Sequence, residues 1–134
     1  MVEIKERIYY SVGKVALAIA RSDGEIDASE MGVLNRIIAQ TEKEHTVDLT
    51  LIYNTFEWFE NSDYAIEQLV IEGIQNFHLG DDYLTPKLAK CFKYLLIEVA
   101  KSQPPITGED DLSLTKFLDF IELKKLQKTR SKSN

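Results

Sequence analysis

Apolar residues recur every three or four positions along most of this chain, and this spacing constrains its fold more than any other feature. The first run consists of Ile4, Ile8, Val12, Val15 and Ile19, and comparable runs follow as far as Ile121. No segment alternates apolar and polar residues over the length of a strand. The sequence therefore predicts an all-α fold, a single-domain bundle of about six helices.

Turn and capping signals set the ends of the predicted helices. We expect helices at 3–21, at about 27–42, along the stripe Leu49–Phe59, between a cap at Asn61–Asp63 and a C′ residue at Gly80, from Thr85-Pro86 to Pro104, and from Thr107 through Ile121. The polar residues 41–46 end the second helix. Gly13, Ala16 and Ala20 give the first helix a side where another helix can pack closely. The fifth helix is apolar on most sides, so we expect it to be the buried centre.

The connection between the first two helices, Ala20–Glu30, reads A-R-S-D-G-E-I-D-A-S-E. Asp23-Gly24 is a strong turn dipeptide, Asp27 is placed as an N-cap, and Glu30 stands where a capping-box carboxylate belongs. Asp23, Glu25 and Asp27 alternate, so one tight loop gathers three carboxylates beside the carbonyl end of the first helix. Asp23, Glu25, Asp27 and Glu30 are therefore candidate ligands of a divalent cation, and calcium or magnesium is the expected species.

A purely structural interpretation of the same residues stays open. Capping and the helix dipole account for Asp27 and Glu30, and the turn accounts for Asp23. The spacing is not that of an EF-hand, because Gly24 is misplaced and Leu34, at the twelfth position, cannot bind calcium. The loop either binds a cation or only caps the second helix.

A shift of eighty residues aligns this connection with Ala100–Asp110 without a gap. The identical pairs are Ala20 with Ala100, Ser22 with Ser102, Ile26 with Ile106 and Leu34 with Leu114. We infer two helix hairpins related by a pseudo-twofold axis, the first and second helices matching the fifth and sixth. Because Gln103-Pro104 replaces Asp23-Gly24 in the second hairpin, any cation site belongs to the first.

The run Ala20-Arg21-Ser22-Asp23-Gly24-Glu25-Ile26, followed by Asp27 and Glu30, resembles the signature of the tellurite-resistance protein B (TerB)-like domains. That signature is an Ala-rich helix end, Ala-x-x-Asp-Gly-x-Ile/Val, and then a cap and a glutamate that open the next helix. The resemblance reaches over most of residues 3–122 and implies an all-helical domain at 1–123 with a related hairpin near its end. It also implies a non-enzymatic module of bacterial stress responses whose acidic cluster binds metal. The second loop, often acidic in such proteins, is here Gln103-Pro104-Pro105.

The distribution of charge bears on the partners of the chain, whose formal net charge is −6. Residues 44–86 contain nine Asp or Glu and no Lys or Arg, whereas the tail 124–134 contains five Lys or Arg and no Asp or Glu. The acidic surface should repel nucleic acid, so a protein partner or a homodimer is expected instead. The basic tail is typical of a disordered end. Without a signal-peptide pattern or an apolar run of membrane-spanning length, we expect a cytoplasmic protein with no membrane insertion.

The sequence predicts no catalytic chemistry. His45 and His78 lie near helix ends, far apart in sequence, and no phosphate-binding glycine loop occurs. Cys91 is the single cysteine and lies in an apolar helical pattern, which favours a buried, inert thiol. Trp58 lies about 200° around its helix from Phe56. It either packs on a second side or is exposed for a partner, and we favour burial.

Two interpretations of function follow. The first is a non-enzymatic TerB-like stress-response module that binds a cation or a protein partner through its acidic loop or acidic surface. The second is a plain protein-interaction domain, dimerising or not, whose carboxylates are structural and which binds no metal. An enzyme of unrecognised type is the weakest alternative.

Overall fold

The computed structural model describes residues 3–21, 28–59, 65–102 and 117–119. In these ranges the chain forms five α-helices and two short 3₁₀ helices, and no strand is found there. The α-helices are α1 (Arg7–Ala20), α2 (Ala28–His45), α3 (Thr50–Phe59), α4 (Ile66–Gly80) and α5 (Pro86–Lys101), and the 3₁₀ helices are Ile4–Glu6 and Asp81–Tyr83. The protein is an all-α, single-domain bundle, which confirms the fold class predicted from the apolar spacing.

Helix α1 lies at the centre of the bundle. It packs against α3, α4 and α5, and every residue from Val15 to Ala20 is buried. The prediction that the fifth helix is the buried centre is wrong, because α5 buries one face and leaves Lys87 and Lys90 exposed. The alanine-rich end of α1 explains the difference, since small side chains let neighbouring helices approach from several sides.

Two glycines mark the closest approaches to α1. A Cβ atom on Gly13 of α1 would lie 2.8 Å from the Cβ atom of Thr55 in α3. A Cβ atom on Gly73 of α4 would lie 2.8 Å from Cγ2 of Val15 and 3.2 Å from the carbonyl oxygen of Ser11. Contacts of 2.8 Å are shorter than those real Cβ atoms make, so the helices pack this closely only against glycine. The predicted small-residue side of the first helix is confirmed at Gly13.

Local capping explains where α3 and α5 begin. As predicted, Pro86 is the first residue of α5, and Oγ1 of Thr85 accepts a hydrogen bond from the N–H of Leu88 at 3.1 Å. At α3, Oδ1 of Asp48 accepts hydrogen bonds from the hydroxyl of Thr50 at 2.6 Å and from its N–H at 2.9 Å. The hydroxyl bond first, and the backbone bond second, lower the pKa of Asp48 because they stabilise its carboxylate.

Two predicted features of α4 are wrong. The helix begins at Ile66, and Ala65 occupies the N-cap position without a side-chain cap, in place of the predicted cap at Asn61–Asp63, which lies outside the described residues. Gly80 is the last residue of α4 rather than a C′ residue, and its φ of −112° is not left-handed. A Cβ atom on Gly80 would lie 2.8 Å from the carbonyl oxygen of Ile4. Close packing against the first 3₁₀ helix therefore explains this glycine.

Helix α2 continues to His45, beyond its predicted end at Glu42. Thr41 is buried, and its hydroxyl donates to the carbonyl oxygen of Ile37 at 2.7 Å, so its polar group is satisfied within the helix. The carboxylate of Glu42 accepts a hydrogen bond from the N–H of Leu49 at 2.8 Å. These polar residues do not end the helix. Their hydrogen bonds stabilise its last turns and the connection to α3.

Of the predicted sixth helix, the structure describes residues 117–119, which are helical. Phe117 is buried, and its ring centroid lies 5.3 Å from that of Phe77 on α4 in an edge-to-face arrangement. Residues 103–116 and 120–134 lie outside the described residues, and with them most of the second hairpin and the basic tail. The pseudo-twofold relation between the hairpins stays a prediction.

Candidate functional site

Three of the four predicted cation ligands, Asp23, Glu25 and Asp27, lie outside the described residues. The fourth, Glu30, is half-buried in the first turn of α2. Helix α2 begins at Ala28, directly after the predicted N-cap. Among the residues that the structure describes, no group of three or more His, Cys, Asp or Glu side chains is placed to hold a metal ion. The cation site stays a prediction.

A surface cleft of about 670 Å³ lies between α1, α3 and α4. It is lined by Arg7, Tyr10, Lys14, Asn54, Thr55, Glu57, Trp58, Phe59 and Asn76. We call these residues the tryptophan cleft. Its volume lies within the range of pockets that bind ligands. Aromatic rings, amides and charged groups occur together in its lining, which suits recognition of a ligand with both apolar and polar parts.

Helix α1 contributes Arg7, Tyr10 and Lys14 to the tryptophan cleft. Residues three and four positions apart lie on the same side of a helix, so these side chains form one stripe. Their Cα atoms span two helical turns, which is about 10 Å along the helix axis. The two basic residues therefore stand at opposite ends of the stripe, with an aromatic ring between them.

The guanidinium of Arg7 is held by a single hydrogen bond in the described part of the chain. Its Nη1 donates to Oδ1 of Asn76 at 3.5 Å, and Nδ2 of Asn76 donates in turn to the carbonyl oxygen of Glu72 at 2.9 Å. No described carboxylate forms an ion pair with Arg7. A guanidinium carries five N–H donors in a planar fork, and the described residues accept from one nitrogen of Arg7.

Lys14 is more enclosed than Arg7. Its side chain is 14% exposed, and Nζ lies 4.0 Å from Oε2 of Glu72. A separation of 4.0 Å is too long for a hydrogen bond, and Oε2 of Glu72 is buried without a hydrogen-bond partner among the described residues. Nζ also lies 5.6 Å from the centre of the Phe59 ring, within the range of a cation–π contact. The charge of Lys14 is thus partly balanced inside the protein.

Trp58 stands at the tryptophan cleft with 81% of its surface exposed. The prediction that favoured burial of Trp58 is wrong. Ile52, Phe56 and Phe59 bury the core-facing side of α3. Trp58, about 200° around the helix from Phe56, projects on the other side. Of the two alternatives, the structure has the exposed tryptophan, which is the one expected for a residue that contacts a partner.

A second cleft, of about 620 Å³, has the opposite charge balance. It is lined by Lys5, Glu6, Ile8, Tyr9, Asp48, Thr50, Leu51, Tyr83 and Leu88. It thus holds one basic and two acidic residues, whereas the tryptophan cleft holds two basic and one acidic. Burial first, and then the Coulomb interactions of its phenolate with Cys91 and Asp48, raise the pKa of Tyr9.

The chain has one cysteine, Cys91, and two histidines, His45 and His78. Cys91 is buried, as predicted, and burial raises its pKa to about 11, so an inert thiol stays the expectation. The ring of His45 packs 5.0 Å from that of Tyr94. His78 is exposed, with Nδ1 4.0 Å from a carboxylate oxygen of Asp81. None of these residues lines the tryptophan cleft.

Comparison with models of protein families, with curated proteins and with solved structures gave no match. None of the helices in the described ranges is long and apolar enough to cross a membrane. The resemblance to TerB-like domains and the cytoplasmic location stay predictions.

The sequence alone does not identify the tryptophan cleft. Arg7, Tyr10 and Lys14 repeat at helical spacing on the polar side of the first helix, but such a repeat fits any solvated helix face. The repeat gains meaning only beside Trp58 and Asn76, which are distant in sequence. The sequence contains this repeat, but only the tertiary structure shows that it lines a cleft.

Proposed function

We propose that this protein is a non-enzymatic binding module that binds another protein at the tryptophan cleft. The observation that carries the proposal is Trp58, 81% exposed beside a cleft of about 670 Å³. Tryptophan is enriched among the residues that dominate the free energy of binding at protein interfaces. Burying about 200 Å² of its ring would contribute on the order of 5 kcal/mol before the entropic cost of association.

The rest of the lining supports the same proposal. Tyr10 adds a partly exposed aromatic ring beside the buried Phe59, and Arg7 and Asn76 add hydrogen-bonding groups. Aromatic residues and arginine are the types enriched in protein interfaces. The proposal therefore places the partner against α1 and α3.

The test is a comparison of two matched variants as immobilised baits. Trp58→Ala removes the exposed ring of the tryptophan cleft, and Tyr83→Ala removes a ring that is 51% exposed in the second cleft. A genuine partner is retained by the wild type and by Tyr83→Ala and lost by Trp58→Ala. Each such protein is identified by mass spectrometry and then purified for a direct binding measurement. If Trp58→Ala retains every protein that the wild type retains, binding does not use this cleft.

As a second proposal, we infer that the connection between α1 and α2 binds a divalent cation. The resemblance to TerB-like domains implies this activity, together with a role in bacterial stress responses. The observation that favours it is the alternation of Asp23, Glu25 and Asp27 between helices that end at Ala20 and begin at Ala28. Three carboxylates within five residues of sequence repel one another, and a bound cation would relieve that repulsion.

Thermal melts at matched ionic strength test the cation proposal. Calcium or magnesium bound at the loop should raise the melting temperature at concentrations too low for general screening, and Asp23→Asn should abolish the rise. Sodium chloride of equal ionic strength is the control. If calcium and magnesium do no more than sodium chloride, the loop only caps α2.

A further inference from the structure

We infer that the partner bound at the tryptophan cleft presents an acidic, extended segment, in which a carboxylate pairs with Arg7 and a neighbouring apolar side chain covers Trp58. This inference rests on the proposed protein-binding function and adds the chemistry of the partner. It concerns the residues of the cleft alone and is independent of the cation proposal.

The two clefts differ in charge. The lining of the tryptophan cleft has one acidic residue and two basic ones, of which Lys14 is partly balanced by Glu72 and Arg7 has no ion pair among the described residues, on a chain whose formal net charge is −6. The second cleft is of similar volume and has one basic and two acidic residues. Complementary charge orients a partner and excludes wrong ones. The tryptophan cleft is therefore the one of the two that favours an acidic segment.

Arg7 forms no ion pair with a described carboxylate. Its single described hydrogen bond is to the neutral amide of Asn76, at a distance of 3.5 Å. A carboxylate can accept two parallel N–H bonds from a guanidinium, which are shorter and stronger than a bond to an amide. Lys14 already has Glu72 and the Phe59 ring nearby, so Arg7 is the principal anchor and Lys14 the secondary one.

The spacing of the two basic residues indicates how the acidic residues of the segment are arranged. The Cα atoms of Arg7 and Lys14 lie about 10 Å apart along the axis of α1. In a polyproline II segment, residues three positions apart lie on one face at about 9 Å. Two acidic residues separated by two others would thus match the spacing at which the two basic side chains leave the helix. The intervening positions can place an apolar side chain near Tyr10 and Trp58.

A long polyanion fits these features less well than a short acidic segment. Glu57 lies in the cleft and is exposed, and the chain as a whole carries excess negative charge. A nucleic acid strand would extend beyond the two basic residues and meet that charge. A segment with two carboxylates engages the basic residues alone.

The experiment is a selection of random displayed peptides on the immobilised full-length chain, with counter-selection on Trp58→Ala. Peptides kept by the wild type and not by the variant report the cleft. We expect this pool to be enriched in Asp and Glu over the starting library, with pairs three positions apart. Fluorescence anisotropy of a labelled selected peptide then gives its Kd. Arg7→Gln should raise that Kd about tenfold or more, and added salt should weaken binding.

Matched controls remove a basic residue and an aromatic ring from the second cleft. Lys5→Gln and Tyr83→Ala should leave the Kd within about twofold, because neither residue lines the tryptophan cleft. Circular dichroism establishes that each variant is folded. Trp58 is the single tryptophan, so its emission in the wild type also reports whether a peptide covers the ring.

The outcomes separate this inference from the proposed function. A Trp58-dependent pool that is basic, neutral or proline-rich overturns the acidic chemistry and leaves protein binding at the cleft standing. A selection without any Trp58-dependent peptide counts against both. Self-association of the chain that is lost in Trp58→Ala would also overturn the inference, since a second copy would then occupy the cleft. An unchanged Kd in folded Arg7→Gln would exclude Arg7 as the anchor.

Discussion

Replacing Gly13 with alanine tests the close packing of α1 on α3, which shapes the tryptophan cleft. The new Cβ atom would lie 2.8 Å from Cβ of Thr55, 2.9 Å from its Cγ2 and 3.0 Å from its Oγ1. Ordinary van der Waals contact begins at 3.4 Å. Rotation of the Thr55 side chain cannot move its Cβ atom, so the helices themselves must separate by roughly half an ångström.

The magnitude follows from two opposing effects. Overpacking of this kind costs about 1–3 kcal/mol, whereas alanine inside a helix is about 1 kcal/mol more favourable than glycine. Gly32 provides a matched control, because it lies in α2, is exposed, and has no atom within 4 Å of an added Cβ. Gly32→Ala gains the helix-propensity effect alone. The free energy of unfolding of Gly13→Ala should therefore be about 1–3 kcal/mol below that of Gly32→Ala.

Urea unfolding followed by circular dichroism measures this difference, because the midpoint gives the change in stability when the slope is unchanged. Trp58 is a poor probe of unfolding, since it is 81% exposed in the folded protein. In the Gly13→Ala background, Thr55→Gly should show a favourable coupling that reports the relieved contact. If Gly13→Ala and Gly32→Ala are equally stable, α1 and α3 do not approach at Gly13, and the shape assigned to the cleft is wrong.

Thr85→Ala should lower the free energy of unfolding by about 1 kcal/mol through loss of the N-cap of α5, and a thermal melt indistinguishable from that of the wild type would contradict this cap. Asp48 has a lowered folded pKa, so its contribution to stability is present above its unfolded pKa of about 3.9 and is lost as pH falls through the folded pKa. Urea midpoints of the wild type and Asp48→Asn should therefore converge at acid pH, and a constant difference would refute the assignment. Cys91 should react with a thiol reagent at pH 8 only as fast as the protein unfolds, because its pKa is about 11 and it is buried; rapid reaction in the native protein would show that the thiol is accessible.

The features predicted correctly from sequence are those that a few neighbouring residues determine. The Thr85-Pro86 start of α5 is one such feature, because the cap, the proline and the bonded N–H of Leu88 lie within one turn. Gly80 shows the limit of local signals. A glycine after an apolar run is typical of a C′ residue. At Gly80, however, the carbonyl oxygen of Ile4, which is far away in sequence, leaves no room for a Cβ atom.

The acidic run at 44–86 shows the same limit for charge. Composition predicted an acidic surface there, but several of its described carboxylates have internal roles. Asp48 caps α3, Glu72 lies beside Lys14, and Asp81 lies beside His78. Charge counted along a sequence does not say which groups share a face. The tryptophan cleft shows the opposite effect. Its basic residues are distant from residues 44–86 in sequence and lie next to part of them only in the folded protein.

Arg7, the principal anchor of the tryptophan cleft, and the connection proposed to bind a cation lie at opposite ends of α1. Arg7 and Ala20 are its first and last residues, about 20 Å apart at about 1.5 Å per residue. Charges at that separation are largely screened at physiological salt, where the screening length is about 8 Å. Asp23→Asn should therefore leave the Kd of a cleft peptide within about twofold, and Arg7→Gln should leave any calcium-dependent rise in melting temperature intact. Peptide anisotropy measured across a calcium series tests this independence. If calcium changes the Kd of the peptide, the peptide must change the affinity for calcium by the same factor. Direct Coulomb attraction between Arg7 and the cation is too weak to produce this coupling. The change would then have to pass through the packing of α1 against its neighbours.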